Sequence, residues 1–275
     1  MPTNALRPAR TADLAERVLE ENPDLRFILG VSIDGLSQTH DAMRGVPGAF
    51  ETAFETIRVV NQRRAAHAAP ERGDWDRRLA IAVITCLTER NIDEYPRLVE
   101  HIRANADVDM TLFEPLRDVK KDSALGPPPV AKFRDAVART LRTNRELMAK
   151  RRPPEEVTTR LSYVQQLHAV QAAYLETGRI ALRCMAGRRV AAVDHDGQLR
   201  LCELLEPVAN LREMGLDFRA GWNCRKAVAQ RKWIERTRCA CGHCVIIGHS
   251  LDDDAAVRAA RQAAEARLCE GDSSV

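Results

Sequence analysis

The chain has 275 residues, 45% of them hydrophobic, and a formal net charge of +3 from 42 Lys plus Arg against 39 Asp plus Glu. That length and apolar content suit one large domain or two small ones, and the small charge gives no basis for nucleic-acid binding. No apolar run reaches the roughly eighteen residues of a membrane span, so no membrane association is expected.

The opening "MPTNALRPARTADL" lacks the apolar core of a signal peptide. Eight cysteines without an export signal imply a reducing cytoplasm and thiolate chemistry rather than disulfides. "TADLAERVLEENP" reads as a helix capped by Thr11, with Leu14, Val18 and Leu19 as its apolar stripe. "LRFILGVSIDG" reads as a buried parallel strand. "LSQTHDAMRGVPG" reads as a loop leading into a helix over 49–66. "AAPERGDWDRR" is a polar connection and "LAIAVITCL" a second buried strand. Asn91 is expected to cap the helix "IDEYPRLVEHIRA", and "VDMTLFEPL" is the third strand. This alternation predicts an α/β fold with a parallel sheet and crossover helices.

"RDVKKDSALGPPP" reads as a loop, followed by helices over about 130–150 and 155–176 separated by "RRPP". "RVAAVD", a turn at "HDG", and "QLRLC" read as a hairpin that brings Cys184 and Cys202 toward one centre. "NCRKAVAQRKWIERTR" reads as a basic helix with a solvated face. "RCACGHC" then offers Cys239, Cys241 and Cys244. The C-x-x-C spacing lets one tight loop present two thiolates. Four thiolates suit either an iron–sulfur cluster or a structural zinc, and ordinary buried cysteines are the plain alternative. Cys224 and Cys269 read as bystanders. "DDDAAVRAARQAAEARLC" closes the chain as a surface helix.

Cys184, twelve residues, Gly197, four residues, Cys202, a gap, and Cys241-x-x-Cys244 resemble the auxiliary-cluster extension of radical S-adenosylmethionine enzymes, called SPASM or, in its short form, twitch. Ser250 stands six positions after Cys244, where the long form has a cysteine, and the resemblance then implies the short form with one 4Fe–4S cluster held by Cys184, Cys202, Cys241 and Cys244, with Cys239 as the alternate to Cys241. "VSIDGLSQTHDAMRGVPGAFETAFETIRVV" resembles the fourth strand and following helix of the same family's partial βα barrel, through S-x-D-G, then H-D, then R-G. The resemblance implies that Ser32 and Arg44 bind the amino-acid end of S-adenosylmethionine and that Asp34 supports the loop or a hydroxyl. Read from the residues alone, Asp34-Gly35 is a turn, and His40, Asp41 and Arg44 a surface ion network.

"TNALRP" is similar to the end of the family's third strand. The resemblance then divides the chain into the far half of a partial parallel barrel (1–128), a helical bridge (129–178), a cysteine-rich hairpin-plus-helix module (179–250) and a closing helix with tail (251–275). Arg117 would lie at the barrel mouth.

The family's C-x-x-x-C-x-x-C, which holds the catalytic cluster, does not occur among these residues. The expectation is therefore a C-terminal portion of a longer enzyme, with no catalytic residue of its own to assign. Its substrate would be a small molecule or peptide, and a separately encoded N-terminal portion is a candidate partner. A zinc-binding interaction module is the competing reading. Leu25, Phe27, Leu29 and Val31 would lie on an uncovered strand, so self-association through Leu25–Ile33 is also expected.

Overall fold

The computed structural model describes residues 1–69, 71, 73–117 and 122–259. It divides into two units, Met1–Leu116 with Lys120–Gln165, and Arg117–Val119 with Gln166–Val275.

The first unit is built on a four-stranded, fully parallel sheet in the order β1 (Pro2–Thr3), β2 (Phe27–Ser32), β3 (Leu79–Leu87), β4 (Met110–Pro115). Helices connect the strands: α1 (Pro8–Glu21), α2 (Ser37–Arg44), α3 (Ala49–Ala66), α4 (Trp75–Arg78) and α5 (Tyr95–Asn105). The expected α/β alternation is what forms, and α3 occupies the expected span.

Side chains alternate across the sheet. One face carries Leu29, Val31, Ile81 and Val83, all fully buried. On β4 the same face carries Thr111, whose N–H and hydroxyl donate to Asn144, and Phe113, which meets Tyr95 and Phe133 edge-on. Asn144 and Phe133 belong to α6 (Val130–Met148). The opposite face carries Ala80, Ala82 and Met110, covered by Met148 and by Val157 and Leu161 of α7 (Pro154–Thr177). Farther along that face, toward the strand C-termini, Ser32, Ile84, Cys86 and Glu114 are half-buried. Gly30 sits on this face because an added Cβ would lie 2.4 Å from Ile84 Cδ1.

A buried ion network locks α3 to the sheet. Arg64, 2% exposed, pairs with Asp109 at 2.7 Å and Asp107 at 3.0 Å, and Asp109 also accepts the Ile81 N–H. A buried guanidinium of this kind is tolerated only with such full pairing.

Several local expectations are corrected. Helix α1 starts at Pro8, whose missing N–H is harmless in the first helical turn, so Thr11 lies inside the helix and does not cap it. Its buried face is Thr11, Ala12, Ala15 and Leu19 rather than Leu14, Val18 and Leu19. "SQTHDAMR" is a helix, α2, closed by Gly45 at φ 65. Asn91 does not cap α5, which starts at Tyr95 after Glu94. The "polar" connection holds Trp75, 2% exposed. Leu29 and Val31 are not exposed, and β1 pairs with β2 at Gly30 and Val31. Leu25 and Ile28 stay open at 39% and 37%, and Phe27 is half-buried.

In the second unit the expected hairpin forms. β5 (Ala192–Val193) and β6 (Gln198–Arg200) pair antiparallel, and β7 (Ala209–Asn210) adds a third strand. Gly197, at φ 90, makes the turn, with its N–H on the Asp194 carbonyl. α8 (Phe218–Trp222), α9 (Arg225–Thr237) and α10 (Cys244–Asp253) follow. The closing helix is expected from Asp252, but Asp252 and Asp253 belong to α10; helix resumes over 255–259, and Cys269 lies outside the described residues. No helix is long and apolar enough to cross a membrane among the described residues.

Candidate functional site

Two clusters carry the chemistry that the sequence singles out. The first lies at the C-terminal end of β2, where βα folds place ligands. Asp34 is 4% exposed and bonded on every side. One carboxylate oxygen accepts the Cys86 N–H at 2.9 Å and the other pairs with Arg44 at 2.7 Å. Its N–H donates to His40 Nδ1 at 3.0 Å, and its carbonyl accepts from Asn91 at 2.6 Å. Asn91 also donates to the Cys86 carbonyl at 2.8 Å and accepts the Thr88 N–H. The loops after β2 and β3 are thereby joined through Asp34 and Asn91.

Gly35 permits this closeness, since a Cβ there would lie 2.5 Å from Thr39 and 2.8 Å from Glu94. Asp41 accepts the Gly48 and Phe50 N–H groups at 2.6 and 2.9 Å, and these bonds hold its carboxyl below the usual range. Each element of S-x-D-G, H-D and R-G therefore has a local structural task. Ser32 is the half-buried member, on the same sheet face as Cys86 and Glu114. His40 is fully buried, and burial pushes its pKa down; the neutral ring accepts at Nδ1.

The second cluster is the cysteine field. Cys202 and Cys241 are buried with Ala186, Ile234 and Ile246, and Cys184 and Cys239 pack against that group half-buried. Burial raises the pKa of Cys184, and Cys239 and Cys202 raise it further. Cys239 is raised by burial, then by Cys241 and Cys202. Cys241 is raised by burial against a backbone hydrogen bond from His243, with Cys202 and Cys184 adding to the rise. Cys184, Cys202, Cys239 and Cys241 thus lie within one another's electrostatic reach. Cys244 begins α10 and packs with Leu167, Ile247 and Leu251 in an adjoining apolar group. Cys224 caps α9, accepting the Ala227 N–H at 3.4 Å.

Among the described residues, the cysteine sulfurs do not stand three together within 4.8 Å. A zinc tetrahedron with Zn–S bonds of about 2.3 Å would hold its sulfurs roughly 3.8 Å apart. The four thiols are soft donors, of the kind that an iron–sulfur cluster or a single soft ion takes.

Three polar residues beside the thiols were not singled out as site residues from sequence. Glu203, next to Cys202, pairs with Arg117 and lies 3.1 Å from His243 Nε2. Burial, aided by Arg117, pushes His243 down to about 4. Its Nδ1 accepts the Val245 N–H at 3.2 Å, so the neutral ring donates from Nε2 to Glu203. Cys202, Glu203, His243 and Ile246 line a pocket of about 160 Å³. Gln171 of α7 donates to the Gly242 carbonyl at 2.9 Å, and His168 bonds Gln171 at 2.7 Å, which steadies the loop between Cys241 and Cys244. The C-A-C-G-H-C run was itself the signal for His243. Nothing local marks Gln171.

No protein-family model and no curated protein matches this chain. Among solved structures it is similar to native anSMEcpe with bound AdoMet and Cp18Cys peptide, at 14% identity and a TM-score of 0.44, over 83% of this chain and 58% of that one. It is also similar to a polyhistidine-tagged form of anSMEcpe with bound AdoMet, at 13% identity and a TM-score of 0.48, over 83% of this chain and 57% of that one. The chain thus spans less than two thirds of these structures' length.

Proposed function

We propose that the chain is the C-terminal portion of a radical S-adenosylmethionine enzyme with one auxiliary 4Fe–4S cluster. The observation that carries the reading is the gathering of Cys184, Cys202, Cys239 and Cys241 in one apolar group, with the thiol pKa raised at Cys184, Cys239 and Cys241. Raised pKa values disfavour free thiolates, and a cluster that binds them as thiolates offsets that cost. Cys184, Cys202 and Cys241 would hold it with Cys239 or Cys244 as the fourth ligand. When bound, the cluster would supply one-electron chemistry or an iron site for substrate.

The residues of the chain itself have separate tasks in this reading. Ser32, half-buried at a strand end, would meet the amino-acid end of S-adenosylmethionine. Asp34 would hold Arg44 and the loop in place for the same ligand. Glu203 and His243 would face a substrate in the pocket beside Cys202. That substrate is a small molecule or peptide. The 275 residues hold no C-x-x-x-C-x-x-C, so a further polypeptide portion would have to supply the catalytic cluster.

Anaerobic reconstitution of this chain should yield about four iron and four sulfide, with a brown colour and absorption near about 400 nm. Cys184→Ala should lose them. Native protein holding zinc alone, or full iron retained in that variant, overturns the reading.

A further inference from the structure

Away from both clusters, the structure assembles a second set of metal donors in the first unit. Glu16 and Glu20 stand four apart on α1, and His67 follows the end of α3. One donor atom from each lies within 4.8 Å of the others.

His67 is fixed before any ligand arrives. Its backbone N–H donates to the Arg64 carbonyl at 3.1 Å, and its carbonyl accepts the Trp75 N–H at 3.0 Å. Its ring stacks on buried Trp75, with centroids 4.2 Å apart and planes 17° from parallel. Nδ1 lies 3.1 Å from the Arg63 carbonyl oxygen. A carbonyl only accepts, so Nδ1 carries the hydrogen, and in the neutral ring Nε2 presents a lone pair. That lone pair lies 3.8 Å from Glu16 Oε1. Two acceptors facing each other, with a second carboxylate beside them, are a donor set that a cation or a proton can join. A histidine whose other nitrogen donates to a backbone carbonyl is also the usual arrangement of a metal ligand. Arg63 draws on the same charge, lying 3.4 Å from Glu16 Oε2 and 3.4 Å from Asp13.

We propose that Glu16, Glu20 and His67 bind one first-row divalent cation. Water completes its coordination, and the ion clips α1 to α3. Two carboxylates and one imidazole suit manganese, iron(II) or zinc. The competing occupant is a proton on Nε2.

Manganese(II) is the probe, because thiolates rank low for it and the cysteine field does not interfere. Electron paramagnetic resonance of the full chain titrated with Mn²⁺ should show one equivalent bound. Glu20→Gln, at an exposed position that leaves packing intact, and His67→Gln should each weaken binding by on the order of 100-fold. Cys184→Ser should leave it unchanged, and Arg63→Gln should strengthen it by removing the competing charge. Mn²⁺ should raise the melting temperature of the parent chain and not that of Glu20→Gln. Absence of Mn²⁺ binding, or equal binding by the parent and Glu20→Gln, overturns the proposal and leaves the proton as occupant.

Discussion

Asp34 offers the sharpest test of how the S-x-D-G loop is built. Asp34→Asn keeps an oxygen for the Cys86 N–H but replaces the oxygen facing Arg44 with an amide that cannot pair with a guanidinium. Breaking a fully buried pair costs about 3–5 kcal/mol. Asp34 is 5% exposed here, but Arg44 is 31% exposed and regains water. The expected loss is therefore about 2 kcal/mol. Asp34→Ala also strands the Cys86 N–H, which adds about 1–3 kcal/mol. At about 2–4 °C per kcal/mol for a domain of this size, the first unit should melt roughly 4–8 °C lower in Asp34→Asn and lower still in Asp34→Ala. Calorimetry reads the melting temperature and hydrogen exchange reads the bond. The Cys86 amide should stay protected in Asp34→Asn and lose protection in Asp34→Ala. A double-mutant cycle with Arg44→Gln should return a coupling near the loss in Asp34→Asn. Melting unchanged in both Asp34 variants, or full Cys86 protection in Asp34→Ala, would refute the assignment of Asp34 as the junction of the two loops.

Other outcomes follow from the second unit and from the missing motif. His168, 3% exposed, is pushed down to about 4 by burial, below its ordinary value of 6.5. Its folded pKa is depressed, so the unfolded chain takes up the proton first. Its contribution is whole above pH 6.5 and falls by about 3 kcal/mol as the pH drops to 4. Urea unfolding of the second unit across that range should show the loss, and His168→Gln should flatten it. Gln171→Leu leaves the Gly242 carbonyl without its side-chain donor and should cost about 1–3 kcal/mol, with reduced iron retention after reconstitution as the specific readout. Cys239→Ala and Cys244→Ala, assayed side by side for iron and sulfide, should differ, the variant that loses the cluster naming the fourth ligand. The chain alone with dithionite and S-adenosylmethionine should release no 5′-deoxyadenosine above a protein-free control.

The strand cores and long helices were legible because burial leaves a periodic trace. "LAIAVITCL" is apolar on both faces, and the helix over 49–66 carries its buried residues at helical spacing. The hairpin before Cys202 was equally local, since Asp196-Gly197 needs only the turn conformation that glycine supplies. The sequence also marked the cysteines as a group, because thiols at close intervals point to shared chemistry.

Only the tertiary structure decided how polar residues are spent. Asn91 looks like a helix cap in sequence, but its amide joins the loops after β2 and β3. Asp34 and Arg44, both plausible ligand groups, are paired with each other. Glu16, Glu20 and His67 meet only because α1 and α3 lie side by side, with Trp75 holding the ring from a stretch that reads as a polar connection. Local propensity and periodicity fix which residues are buried along one element, whereas a hydrogen bond or ion pair depends on which distant element stands opposite. That pairing comes from the order of the parallel strands, and no window of the sequence contains it.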